Sequence, residues 1–169
     1  MKLKKLLTGL IVASLTTLSI NGIAGTDTTT LSISATAVAG CSFDTNSYNL
    51  DFGNYDGSSI ASTSVNIGFT CATAGVGYTI EADNGNNFDV GNGDRRMTDG
   101  AGNYLTYDIT QDAGFTQPLG TIAAGAEISG TSGSAGVSNS ITIYAGMPNG
   151  QTISAAGTYN DTVTLTLTF

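Results

Sequence analysis

A two-residue period governs this sequence from residue 31 to its end. It is cleanest in the last segment, where Val163, Leu165, Leu167 and Phe169 alternate with Thr162, Thr164, Thr166 and Thr168. Successive side chains of an extended strand point to opposite faces, so such a segment buries one face and solvates the other. Threonine on the outer phase suits a pleated, wetted surface because it is β-branched and polar. The same alternation runs through Leu31, Ile33, Ala35, Ala37 and Ala39, through Val65, Ile67, Phe69 and Cys71, and through Val76, Tyr78, Ile80 and Ala82. It returns in Leu105, Tyr107 and Ile109, and in Ile141, Ile143 and Ala145. A helical period is absent. Between these runs lie Gly/Asn/Asp clusters at residues 54–59, 83–94, 130–139 and 148–150, the residue types that supply tight turns. Short alternating strands separated by turn signals predict a β-sandwich. The 169 residues suit one domain around one core, with the Ser/Gly stretch near residue 130 as a long loop inside it.

The first residues read as an address. Lys2, Lys4 and Lys5 form a positive start, an apolar run of 15 residues follows from Leu6 to Ile20, and Gly22-Ile23-Ala24 puts small residues before a cut after Ala24. The run is short of the roughly 20 residues a membrane-spanning helix needs. Residues 1–24 are therefore expected to be a signal peptide, and the protein to be exported.

Removing that leader takes three of the five basic residues. Arg95 and Arg96 then face 13 carboxylates, a formal charge of 2 − 13 = −11. Two adjacent arginines cannot neutralise a run of phosphates, which excludes nucleic acid as a partner, and a polybasic membrane anchor is excluded for the same reason. Cys41 and Cys71 are the only cysteines. An even count in an exported chain favours a disulfide. With no histidine, and no lysine left after cleavage, neither a metal site nor an activated thiol has its remaining parts.

Two segments do not fit a finished sandwich. Residues 26–40 alternate well yet precede the first cysteine, and the last strand runs to Phe169 with no further strand after it to close its sheet. An open strand with an apolar face invites another strand, and the N-terminal segment is of the right kind to supply one, in its own chain or in the next.

The order of short motifs carries a resemblance. The alternating Leu31-Ser32-Ile33-Ser34-Ala35 leads into Gly40-Cys41, and Leu50-Asp51-Phe52-Gly53 and Ile67-Gly68-Phe69-Thr70-Cys71 follow. Arg95-Arg96-Met97, Leu105-Thr106-Tyr107-Asp108-Ile109 and Tyr144-Ala145-Gly146-Met147-Pro148 come next. The chain closes on Gly157-Thr158-Tyr159-Asn160-Asp161-Thr162 and its final alternating strand. In these elements the chain resembles the spore coat protein U / secreted pilin family, which includes subunits of archaic (Csu-type) chaperone–usher pili of Gram-negative bacteria. The segment between Gln111 and Gly120 lacks a Trp-Gly that many relatives carry.

The resemblance implies an all-β, immunoglobulin-like β-sandwich that is incomplete, its last strand missing, with an N-terminal donor strand. Residues 25–40 would be the donor segment and residues 41–169 the pilin domain. Leu31, Ile33, Ala35 and Ala37 would be the donor side chains. Val163, Leu165, Leu167 and Phe169 would line the acceptor groove, with the Phe169 carboxylate as a chaperone anchor. The implied partners are neighbouring pilin subunits, a periplasmic chaperone and an outer-membrane usher. The implied role is a structural subunit of a cell-surface pilus, assembled by donor-strand exchange and serving adhesion and biofilm formation. No cofactor, metal or small-molecule substrate is implied.

Rival readings rest on thinner patterns. Most acid–base and nucleophilic schemes lack their residues, and Glu81 and Glu127, the only glutamates, are not linked by any motif, so no enzyme is expected. Asp83, Asp89, Asp94 and Asp99 share an Asn/Gly-rich stretch whose spacing departs from an EF-hand loop, and turn chemistry accounts for them better than calcium. One of the two arginines is expected to pair with Asp94 or Asp99 and the other to be solvated. Tyr78 and Tyr107 fall on the apolar phase of their strands, and Tyr159 is placed for a tyrosine corner. Asn160-Asp161-Thr162 matches a glycosylation sequon, to which the bacterial resemblance gives little weight. The alternative function is a monomeric secreted binding module, or a spore or surface coat protein, whose N-terminal strand completes its own sandwich. N-terminal sequencing of the exported chain should begin at Gly25; a chain still carrying Met1 would refute the leader assignment.

Overall fold

The structure, a computed structural model, describes residues 26–169; the leader expected at residues 1–24 lies outside the described residues. The chain divides into two units, residues 1–35 and 36–169. In the first, the described residues carry no strand, and Leu31 and Ile33 are 83% and 87% exposed. The alternation of this segment is thus not expressed as a ladder. A strand is held by its neighbours' hydrogen bonds and has little stability without them.

The second unit is all-β apart from one 3₁₀ turn at Ile122–Ala124. Its strands are β1 (Cys41–Phe43), β2 (Ala61–Cys71), β3 (Gly77–Ala82), β4 (Arg95–Thr98), β5 (Tyr104–Thr110), β6 (Ile128–Thr131), β7 (Ser138–Met147) and β8 (Leu165–Thr168). They form a five-stranded sheet in the order β1-β2-β7-β5-β4 and a three-stranded sheet in the order β6-β3-β8. Every pairing is antiparallel. The period-2 runs become β2, β3, β5, β7 and β8. β4 and β6 were not legible as alternating segments, and β6 claims part of the stretch expected to be a loop near residue 130.

The core sits between the sheets. Ile67 of β2, Leu105, Tyr107 and Ile109 of β5, and Ile143, Ala145 and Met147 of β7 meet Ala82 of β3 and Leu119. A second cluster joins Phe69 and Cys71 to Ile80, with Tyr78 stacked edge-on against Phe69 at 4.6 Å. Each large side chain so buried contributes about 1.5–3 kcal/mol. On the outer face of β7, the Phe115 ring lies against Gly146, where an added Cβ would come within 2.8 Å of it. Phe115 itself holds a positive φ of 56°.

Cys41 and Cys71 are disulfide-bonded and directly opposite each other in the β1–β2 register. The bond ties a three-residue strand, too short to hold itself, to the longest strand of the sheet. Closing a loop of sequence separation 30 stabilises the fold by about 3.5 kcal/mol in the chain-entropy account. Reduction, or a Cys41→Ala/Cys71→Ala variant, should lower the unfolding free energy by about that amount in urea titrations.

Candidate functional site

The site is built on β8. Its threonines face outward, while Val163, Leu165 and Leu167 turn inward and are half-buried. The backbone alternates as well. Asp83 N–H donates to Thr164 O at 3.0 Å and Asn86 N–H to Thr162 O at 3.2 Å, so the even-numbered residues bond toward β3. Ala82, opposite Leu165, instead donates its N–H to Gly120 O. In an antiparallel pair the intervening residues then direct both N–H and C=O to the other side. The N–H and C=O groups of Val163, Leu165 and Leu167 therefore line the outer edge of β8, where no described strand is paired.

Across from that edge runs the segment 47–53. Tyr48, Leu50 and Phe52 are half-buried and alternate with exposed Ser47, Asn49, Asp51 and Gly53, yet the segment carries no strand. The Tyr48 hydroxyl anchors it to β2, donating to Gly68 O at 2.7 Å and accepting from Gly68 N–H at 3.0 Å. Between the two walls the sandwich is open. A cavity of about 370 Å³ has Val65, Ile67, Ile109, Ile143 and Ala145 as its floor and Val163 and Leu165 on one wall. A second cavity of about 680 Å³ shares Asn49, Leu50, Phe52 and Met97 with it and continues past Leu105, Met147 and Ile153 to Tyr159. Together they form a groove that reaches core side chains between an unpaired edge and a strand-like wall.

Of the residues expected in the groove, Val163 and Leu165 line it. Leu167 packs instead on the cluster of Phe69 and Ile80, and Phe169 is 53% exposed and outside both cavities. Sequence reasoning missed the wall of Tyr48, Leu50 and Phe52, although its period of two was present; the surrounding turn residues disguised it. Leu31, Ile33, Ala35 and Ala37, the expected donor residues, are all exposed.

One polar station interrupts the apolar lining. Asp161 Oδ2 accepts from the Tyr107 hydroxyl at 2.6 Å, and Oδ1 accepts from Asn86 N–H at 3.0 Å and from Asn87 Nδ2 at 2.9 Å. Burial, and then the hydrogen bond and charge of Asp161, raise the Tyr107 phenol well above its ordinary value of 10.0. Asp83 Oδ1 accepts from Thr164 N–H and from Gly85 N–H, both at 2.9 Å. Burial pushes the Asp83 carboxyl up, but these bonds and the charge of Arg95 outweigh it and hold it below the usual range.

The arginines differ from expectation. Arg95 donates through Nε and Nη2 to the Asp83 carbonyl at 3.0 and 2.6 Å. Arg96 bonds Asp89 Oδ2 and Asn87 O, and lies 4.4 Å above the Tyr104 ring. Neither arginine meets Asp94 or Asp99, because a hairpin with Asp89 bridged to Asp94 folds residues 87–89 back onto β4. The Asp89 and Asp99 carboxylates are taken up by the N–H groups of Gly91 and Ala101 two residues on, which is the expected turn chemistry. The Tyr159 hydroxyl donates to Ala155 O at 2.8 Å, the tyrosine corner anticipated before the last strand. Gln151, three residues after Pro148, clamps β5: it accepts from Thr106 N–H at 2.7 Å and donates to Thr106 O at 2.9 Å.

These features define a β-sandwich left open along one edge of its smaller sheet. The sequence matches the Spore Coat Protein U domain over residues 27–166, and the chain belongs to that family. Among solved structures, it is similar to a chain of the CsuC–CsuE chaperone–tip adhesion subunit pre-assembly complex from the archaic chaperone–usher Csu pili of Acinetobacter baumannii. The TM-score is 0.55 at 20% identity, over 78% of this chain and 40% of that one, a likeness of fold. This chain thus spans about two fifths of that neighbour's length. No curated protein matches the sequence.

A group whose folded pKa is raised stabilises the fold below its unfolded pKa, and that contribution is lost as pH rises. Stability should therefore decline above about pH 10 as unfolded Tyr107 gains the option to ionise, and Tyr107→Phe should flatten that decline in urea titrations between about pH 8 and 11.

Proposed function

We propose that this protein is an exported, non-enzymatic structural subunit of a chaperone–usher surface fibre, assembled by donor-strand exchange. The observation that carries the reading is the unpaired outer edge of β8 above an open apolar groove. The occupant is the N-terminal segment of a second copy or of a related subunit. Residues 31–39 extend roughly 30 Å as a strand, enough to run the length of such an edge. Inserted there, the strand bonds the free N–H and C=O groups of Val163, Leu165 and Leu167, each bond worth about 0.5–1.5 kcal/mol net. Its inward side chains, Leu31, Ile33, Ala35 and Ala37, cover the floor. Leu31 and Ile33 contribute about 1.5–3 kcal/mol each and the alanines less.

Before exchange, a periplasmic chaperone fills the groove with a strand of its own, and an outer-membrane usher is the site of replacement. The solved fold neighbour, taken from a chaperone–subunit complex of such pili, supports this order of partners. Adhesion and biofilm formation follow as properties of the assembled fibre at the cell surface.

The test is a denaturing gel of exported protein, unheated beside boiled, from cells holding the assembly machinery. A ladder of multiples that collapses to one band on boiling is the expected result. Leu31→Asp/Ile33→Asp should abolish the ladder while leaving exported monomer. A lone monomer band in both wild-type lanes would overturn the reading in favour of a self-completed binding module. Normal ladders from the double variant would overturn the donor assignment.

A further inference from the structure

The groove has a width, and Asp161 stands where its wall meets its floor, next to Asn160, whose backbone bridges Thr98 of β4. β3 ends at Ala82 and β8 begins at Leu165, so residues 161–164, which form the upstream half of the groove wall, lie beyond the regular ladder. Backbone bonds from Asp83 and Asn86 to the Thr164 and Thr162 carbonyls and two side-chain carboxylates hold this stretch in place. Asp83 takes the Thr164 N–H, and Asp161 takes both Asn86 N–H and the Asn87 amide. The remaining Asp161 oxygen accepts from the Tyr107 hydroxyl at 2.6 Å. Tyr107 belongs to β5 of the larger sheet, whereas Asp161 leads into β8 of the smaller one. This bond therefore spans from the groove's floor to its wall.

A second, independent feature makes room for it. Gly85 has a φ of +79°, and a Cβ at that position would overlap Asp161 Oδ2. Both its conformation and its missing side chain are needed for the carboxylate to sit where it does.

We propose that Asp161 is a positioning residue for strand uptake: its strut to Tyr107 holds the β8 wall at the distance from the floor that admits an incoming strand. The inference rests on the donor-strand reading above. A charge-assisted bond is short and directional, so it constrains the wall's distance from the floor before any strand arrives. Without the strut the upstream wall keeps its backbone bonds to Asp83 and Asn86 and the Asn160–Thr98 bridge, but loses its side-chain brace to the floor, so its distance from the floor is less tightly held as a strand enters.

The test uses the full chain carrying Leu31→Asp/Ile33→Asp, recovered from the periplasm with any protein bound to it. The probe is a fluorescein-labelled peptide of residues 27–40, and the readout is the rate of its uptake. Asp161→Asn and Tyr107→Phe should each slow uptake by at least about tenfold, and the pair together little more than either alone, because they remove one strut. Ile80→Val, a mild change in the second core cluster, is the control for general loss of stability. Uptake by Asp161→Asn no slower than by the control, or effects of the two strut variants that simply multiply, would overturn the proposal and leave the donor-strand reading standing. No uptake by the unmodified groove would overturn the donor-strand reading, and this proposal with it.

Discussion

The rest of the structure is arranged around one edge of β8, whose outward backbone groups have no strand beside them among the described residues. A sheet edge presents a row of donors and acceptors, and proteins ordinarily twist it away, cover it or charge it. Here the edge carries Val163, Leu165 and Leu167, with no charged side chain among them, and the core lies open beside it. The long antiparallel pairing of β2 with β7 and the disulfide between β1 and β2 keep the larger sheet intact although its opposite layer is incomplete. The fold is thus firm where it is closed, and its unfilled bonding capacity is gathered along one line.

The acidic composition has a structural cause. Asp51, Asp56, Asp83, Asp89, Asp99 and Asp112 each accept the backbone N–H two residues further on. This is the Asx turn, in which a short carboxylate stands in for a backbone acceptor. A fold made of many short strands needs many such turns, and aspartate supplies them without bulk. Arg96 forms an ion pair with Asp89, while Arg95 spends its guanidinium on a backbone carbonyl. Carboxylates here cap backbone far more than they pair with cations, which is why a chain with two arginines after its expected leader can carry so many of them. Asp161 extends the same chemistry across the two layers, accepting from the Tyr107 hydroxyl as well as from backbone.

Much of the sandwich was legible in the residues. Period-2 runs gave β2, β3, β5, β7 and β8 their inward faces correctly, since alternation is a local property of an extended chain. β4 was not legible, because Arg95-Arg96-Met97-Thr98 has no apolar alternation; it is a strand only because β5 lies beside it. The segment Tyr48-Asn49-Leu50-Asp51-Phe52 shows the converse. Its inward side chains alternate as a strand's do, yet it forms no ladder, since it has no neighbour with which to pair. Residues 31–39 likewise alternate and carry no strand.

The sequence alone determined the inward faces of β2, β3, β5, β7 and β8, where the chain turns, that its two cysteines would bond, and to which family it belongs. Those properties are set by neighbours a few residues away or by order along the chain. Only the tertiary structure decided which backbone groups of β8 are free, that Leu167 and Phe169 lie outside the groove that Val163 and Leu165 line, and that the arginines reach Asp83 and Asp89 rather than their nearer aspartates. Only it brought Asp161 against Tyr107, 54 positions apart, and emptied the space at Gly85 to let it in. Such contacts depend on how two sheets are laid over one another, and a pattern with a period of two says which way a side chain points but not what it will meet.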